Sequence, residues 1–521
     1  MRKVLVLPTV LLVGCNLVAG FDDFSFDPEA GSAGGEVATG GEGGQLTSVT
    51  TTSSSSGGEG GHDTVELPPI GDHVWSARFG DGGTDDVVDI AVRPNGHVVL
   101  VGTFQSALDF GGATEALMSG AGTDMFVAEL DAEGQAVWAK SFGNAGVNGN
   151  EAPAAVAVAP NGDTYVVGSL STPVDFEGTT VPAGAIGTNG FLLALDANGA
   201  VRWAEAIGGQ AIDEQSQEAT AVAATDSQVA IAGRYFGEML LDGRLFTGSQ
   251  GTFVATYSRG GVIANAVDVG DPATATGVAG LAFSSNGELA VGGGLEGAIS
   301  FGMGSQSASG PGSGFVARLG TNLQGPVAVV AGPFGIETFA GAANGRLVMG
   351  GTFNDPVDYG FGQLTSVGGG DGLVLGFAPG ETAIVSSLRV GGTEALTVAA
   401  VEVRADGELL VAGTFRGESQ TLGEPPLAVD VDRDRIFVAV LAADGTVRMK
   451  QQSTGDDTQR FAGASRGGSR IAVAFTTLGD DAAMGGNTLT NERAKGDIVV
   501  AAFVDTRSFG RSGARRTGRR W

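Results

Sequence analysis

The sequence predicts an all-β chain made of seven four-stranded units, and three observations carry that prediction. A short apolar motif recurs seven times, as FVAEL at 126, FLLAL at 191, FVATY at 253, FVARL at 315, LVLGF at 373, FVAVL at 437 and IVVAA at 498. The copies stand 65, 62, 62, 58, 64 and 61 residues apart. Fixed periods of this size mark solenoids, arrays or propellers. A second apolar motif precedes each copy: VLVGTF (99–104), YVVGSL (165–170), AIAGRY (230–235), AVGGGL (290–295), VMGGTF (348–353), LVAGTF (410–415) and AVAFTT (472–477). Finally, the repeated region begins and ends on half-units that complement one another.

The elements of one unit follow from local chemistry. Each upstream motif is preceded by a turn: Asn95-Gly96, Asn161-Gly162, Asp226-Ser227, Asn286-Gly287, Asn344-Gly345, Asp406-Gly407 and Gly467-Gly468. Asn-Gly and Asp-Gly supply the positive φ angles of tight hairpins. Before the turn lies another apolar run, such as DIAV (89–92) or AVAV (155–158). After it, FVAELDAEGQAVWAKSFG (126–143) reads as two strands joined at Glu133-Gly134. A unit therefore holds strands A to D, with a longer loop between B and C. Apolar B strands such as VVLVG suit sheets covered on both faces. Glycines at 102, 168, 233, 293, 351 and 413 mark close backbone approach. Trp75, Trp138 and Trp203 are expected to pack between units rather than to face a ligand.

Closure decides the architecture. Internal C–D turns follow Asp131, Asp196, Ser258, Gly320, Ala378 and Ala443, but the seventh C strand, near 498–504, has no D strand after it. The missing strand stands at the other end, where HVWSARFG (73–80) resembles AVWAKSFG (136–143) and VRWAEAIG (201–208). This is the arrangement of a closed seven-bladed β-propeller whose C-terminal blade is completed by the N-terminal strand. An open array would leave two exposed sheet edges.

The units also resemble the bacterial seven-bladed β-propeller repeat lipoprotein family, with its G-x-D, G-N-x-Y-V-x-G, D-F and D-x-F-V-A-K-L-D-x-x-G-x-x-x-W pattern. Matching residues include Gly83, Asp85, Asp86, Asn95, Gly96, Gly102, Asp109, Phe110, Asp124, Phe126, Asp131, Gly134 and Trp138. The resemblance covers about 73–505 and fades in later units, where Trp is absent after Trp203 and Phe475 replaces the B-strand glycine. It implies a scaffold, without one shared activity.

The flanks carry a different message. Arg2 and Lys3 precede an apolar run from Val4 to Gly14 that is too short to cross a bilayer. It ends Leu12-Val13-Gly14-Cys15, which resembles the lipobox of bacterial lipoproteins. That resemblance implies a signal peptide over 1–14 and a lipidated Cys15, the chain's single cysteine. Asn16 rather than Asp follows, which permits outer-membrane delivery in a Gram-negative cell. Residues 15–72 then read as a Gly, Ser, Thr and acid-rich tether that cannot bury enough apolar area to order itself. The remaining segments are the propeller over 73–505 and a disordered tail over 506–521, with six arginines and no acid. The tail suits contact with anionic surface polymer, lipid phosphates or the protein's own acidic rim.

Composition narrows the partners. Glycine is 90 of 521 residues, and 29 basic residues stand against 58 acidic ones for a net charge of -29. Such a surface repels nucleic acid. The D–A and B–C loops share one face, and DGGTDD (81–86), NAGVNGNE (144–151), QAIDEQSQE (210–218) and GDD (455–457) make it acidic. A cation needs several converging oxygens. Asp81, Asp85, Asp86, Asp456 and Asp457 come from adjacent blades after closure and are the candidate calcium ligands, although a solvated acidic rim is the preferred reading. No nucleophile elbow, Cys/His cluster or phosphate loop is present in the sequence, and the histidines, His62, His73 and His97, are scattered. The expectation is a monomeric, lipid-anchored binding or scaffold module for a protein or glycan, without catalysis. The competing class is a propeller enzyme of polysaccharide lyase or quinone dehydrogenase type, with its site on the acidic face.

Overall fold

The computed structural model describes residues 70–505 apart from 81–82, 113, 121, 145–148, 184–186, 209–213, 242, 270–275, 311, 420, 430–431 and 492–495. Cys15, the tether as far as residue 69 and the tail lie outside the described residues, as does Asp81. Seven four-stranded antiparallel blades form a propeller ring, with no helix among the described residues. Blade 1 is Asp86–Val92, Val98–Phe104, Gly122–Leu130 and Ala136–Phe142. Blades 2 to 6 span 149–207, 214–269, 276–330, 334–390 and 396–455. Blade 7 takes Gln459–Gly467, Arg470–Thr477 and Asp497–Val504 from the C-terminal end and His73–Phe79 from the N-terminal end. That last strand pairs antiparallel with Asp497–Val504, Phe79 opposite Ile498. The A strands touch their neighbours all the way round and form the inner wall.

Every strand A carries a β-bulge at the same place, for example between Val87 and Asp89, Ala219 and Ala221, or Phe461 and Gly463. The bulge presses a carbonyl toward strand B. A Cβ on Gly102, Gly168, Gly233, Gly293, Gly351 or Gly413 would lie 1.9–2.1 Å from that oxygen, so no side chain fits. Across from these glycines strand C places Phe126, Phe191, Phe253, Phe315, Leu373 and Phe437. Blade 7 exchanges the two sizes, with Phe475 on strand B opposite Val499 on strand C.

The tryptophans interlock neighbouring blades. Gly134, Gly199 and Gly261 sit in C–D turns at φ of 83°, 80° and 85°. A Cβ on them would come within 2.6, 2.5 and 2.9 Å of Trp75, Trp138 and Trp203 of the preceding blade. Trp75 and Trp203 also donate to the carbonyls of Ala132 and Arg259 in those turns, at 3.0 and 2.9 Å. Where the next unit lacks Trp, Asn265 donates to Thr321 O at 2.9 Å and keeps the same link.

The long B–C loops form small hairpins, such as Ala107–Leu108 with Leu117–Met118 and Val174–Phe176 with Thr179–Val181. In blade 3 the B and C strands themselves extend, over Gln228–Leu241 and Arg244–Ser258. The repeated Asp-Phe drives this docking. Phe110 stacks against Phe79 and Phe126 with ring centroids 4.9 and 5.3 Å apart. Phe176 repeats the arrangement against Phe142 and Phe191 at 5.0 and 5.6 Å. Each ring thus joins the D strand of one blade to the C strand of the next.

Candidate functional site

On the D–A and B–C loop face, acidic residues mark the starts of strands C. Asp371 is fully buried and accepts from Val367 N at 2.8 Å, Gly392 N at 3.2 Å and Arg389 Nε at 2.7 Å. Asp124 accepts from Gly120 N at 3.0 Å, and Asp497 from Arg78 Nε at 2.7 Å and Asn491 Nδ2 at 2.6 Å. Asp371 and Asp124 hold loop ends that would otherwise leave backbone N–H groups unpaired, whereas Asp497 is held by two side chains. Each sits under the glycine that ends a D strand. A Cβ on Gly143 would lie 2.2 Å from Asp124 Cγ, and one on Gly391 2.4 Å from Asp371 Cγ. That contact explains why D strands finish in Phe-Gly or Val-Gly.

The predicted cation ligands are distributed over this face. Asp85 is fully buried, and a Cβ on Gly80 would lie 3.0 Å from its Oδ2 and 2.6 Å from Asp497 Oδ1, so the two carboxylates share one blade joint. Asp86 pairs with Arg460 Nη2 at 3.0 Å and accepts from Thr476 Oγ1. Asp456 accepts from Asp481 N at 3.0 Å, a bond that holds its carboxyl below the usual range. Asp457 accepts from Thr458 N at 2.7 Å. Among the described residues no three His, Cys, Asp or Glu side chains are grouped to hold a metal. His73 meets Ser76 Oγ at 3.1 Å and His97 meets Glu129 at 2.7 Å.

Two features escaped the sequence reading. The first is on the inner wall, where Asp89 of blade 1 accepts from Val156 N of blade 2 at 2.9 Å and from Ile90 N at 2.8 Å. Burial pushes its carboxyl up to about 7, the two N–H groups oppose that, and the charge of Glu402 adds to it. Glu402 of blade 6 accepts from Arg466 N of blade 7 at 3.3 Å, and its carboxyl is raised by burial against the pull of Arg466 and Ser465. Ser465 Oγ in turn accepts from Val92 N of blade 1 at 3.2 Å. Side chains thus cap inner-edge N–H groups between blades 6, 7, 1 and 2, the sector that contains the closure. No spacing rule marks these residues, because the partners are set by ring geometry.

The second is on the opposite face, formed by the A–B and C–D turns. Glu408, nearly buried, receives Arg404 at 2.8 Å, Arg448 at 2.8 Å and Arg466 at 2.9 Å. Arg404 also pairs with Asp505, whose N donates to Ser469 O at 2.8 Å. Beside them the chain enters the ring, since Gly71 N donates to Val504 O and Val504 N to Asp72 O, both at 2.9 Å. Both ends of the propeller therefore leave side by side on the turn face.

No family model and no curated protein matches this chain. Among solved structures, it is similar to a protein of unknown function from Dyadobacter fermentans, at 11% identity over 68% of this chain and 94% of that one, with a TM-score of 0.36. A second, from Bacteroides caccae and likewise of unknown function, is similar at 11% identity over 64% and 96%, with a TM-score of 0.33.

Proposed function

We propose that this chain is a lipid-anchored envelope protein whose propeller serves as a binding or scaffold module for a protein or glycan at the cell surface, and that it performs no catalysis. The observation that carries the reading is the single cysteine at the end of Leu12-Val13-Gly14-Cys15, followed by a tether that runs to the first bonded residue of the ring, Gly71. Several acyl chains, each contributing about 0.8 kcal/mol per buried CH₂, would hold such a protein on a bilayer. The ring suits the task mechanically, because the blade interlocks fix a rigid frame from which seven sets of loops project on one face. Labelled palmitate should enter the full chain expressed in a Gram-negative host and be absent from Cys15→Ala. Incorporation that survives that substitution overturns the anchor. Turnover of a polysaccharide by the purified chain would move the reading to the enzyme class.

A further inference from the structure

We propose that the joint between blades 1 and 2, on the loop face, is a calcium site built from Asp124 and Glu151. A short parallel ladder, Gly122 with Gly149 and Thr123 with Asn150, ties the start of strand C in blade 1 to the start of strand A in blade 2. Asp124 and Glu151 are the next residues in that register, so two carboxylates enter one joint. Both are nearly buried, at 6% and 1% exposed. Asp124 accepts from Gly120 N at 3.0 Å, and Glu151 Oε1 accepts from Thr172 Oγ1 at 2.9 Å. Glu151 Oε2 is buried and meets no hydrogen-bond donor among the described residues. Burial pushes the Glu151 carboxyl up, Thr172 opposes that, and the charge of Asp124 adds to it.

The repeat supplies its own comparison. Where strand C opens on Asp371 or Asp497, the facing D strand brings a guanidinium, Arg389 or Arg78, whose Nε lies 2.7 Å from the carboxylate. These arginines stand opposite Leu373 and Val499, two residues beyond each aspartate. In blade 1 the same register position, opposite Phe126, holds Ser141. In blade 6 the cation takes the aspartate's own place as Arg435, which donates to the carbonyls of Asp457 and Gly455. Glu151 stands two residues before the bulge of strand A. At that place blade 3 has Gln217, next to a strand C that opens on neutral Asn189, and blade 6 has Leu396. Asp85 of blade 1 repeats the acid, but its joint contains Arg78 on Asp497. Among the described residues, the blade 1–blade 2 joint alone sets two carboxylates together without a guanidinium. Like charges in one buried site do not both ionise unless a proton or a cation offsets them. A proton serves one oxygen, whereas a divalent ion draws on both residues. Calcium accepts a flexible shell of about six to eight oxygens, which suits ligands that come from two blades and leaves places for carbonyls and water. Bound there, it ties one blade to the next at the root of the acidic loops, as Arg78 does at the closure. The site is independent of any anchor at Cys15.

The test is isothermal titration of the full chain with calcium chloride near neutral pH, in about 0.15 M sodium chloride to screen the diffuse attraction of the acidic surface. The chain should bind one calcium with a Kd of about 10⁻⁴ M. Glu151→Gln and Asp124→Asn should each weaken that binding by about tenfold or more. Asp86→Asn and Asp456→Asn, at loop-face acids outside the joint, should change it by less than about twofold. Ser141→Arg brings in the guanidinium of blades 5 and 7 and should abolish binding without lowering the thermal unfolding midpoint. Because that variant adds a group and removes no ligand, it decides the question even where a carboxylate variant does not fold. Absence of a stoichiometric site in the unaltered chain overturns the inference in favour of a shared proton. Binding that survives Glu151→Gln or Ser141→Arg, or that falls equally with Asp86→Asn, overturns it in favour of a diffuse acidic rim.

Discussion

Arg78 and Asp497, 419 positions apart in the chain, meet in a 2.7 Å ion pair whose side chains are 6% and 0% exposed. Arg78 lies on the N-terminal strand and Asp497 opens the last C strand, so the pair clasps the two termini of the ring. The same guanidinium donates to the carbonyls of Asp480, Gly479 and Leu489 at 2.6, 2.8 and 3.2 Å. One side chain thus ties the closing strand to both its ladder partner and the hairpin of blade 7.

Removing one partner of a buried pair strands the other charge, which costs about 3–5 kcal/mol. Arg78→Ala should lower stability by that amount in urea unfolding. Arg460→Ala, which breaks the half-exposed pair with Asp86, should cost less than about 1 kcal/mol. Equal effects would mean that the backbone ladder alone closes the ring.

The ladder itself can be tested by deletion. Without residues up to 80, Asp497–Val504, entirely buried in the intact chain, becomes an open edge. The shortened chain should aggregate, and a peptide spanning 70–80 should restore a monomeric ring by filling the vacant position. Size-exclusion chromatography reads both outcomes. A soluble monomer without the peptide would show that closure is dispensable.

The exchange of sizes in blade 7 yields a double-mutant cycle. Phe475 is fully buried and faces Val499. Phe475→Gly alone should cost about 3–5 kcal/mol through the cavity it leaves. Adding Val499→Phe rebuilds the pair found at Gly102 and Phe126 and should recover at least half of that loss. A double mutant no better than the sum of its parts would show that the blades are not interchangeable at this position.

Much of the ring was legible because it is written locally. Asn-Gly turns, apolar runs and Phe-Gly endings each report a backbone requirement within a few residues. Counting half-units was then enough to infer that 73–79 completes the blade ending at 504. What was not legible depends on neighbours chosen by ring geometry. Asn265 takes over a tryptophan's link to the next blade because it too offers an N–H donor, which a search for aromatic residues overlooks. Asp124 reads as one residue of the repeat pattern and Asp371 carries no reading of its own, yet both cap loops, since a carboxylate's use is decided by the N–H groups that fold against it. Asp89 lies in a run that reads as DIAV, and nothing in that run announces a bond to Val156, sixty-seven residues on.

Asp89 sets the direction of the pH response. Its folded carboxyl titrates near 7, against 3.8 for the free side chain. The folded state therefore binds the proton more tightly than the unfolded chain does. This contribution to stability is fully present below about pH 4 and is lost as pH rises through about 7. Burial raises Glu402 and Glu151 as well, so both act in the same direction. The unfolding free energy from urea titration should accordingly fall between pH 5 and pH 8 in the intact chain, by at most about 3 kcal/mol from Asp89. Asp89→Asn removes the titrating group and should flatten that slope, whatever it does to stability at one pH. An unchanged slope would place the pH dependence elsewhere, in the mutual repulsion of the acidic surface.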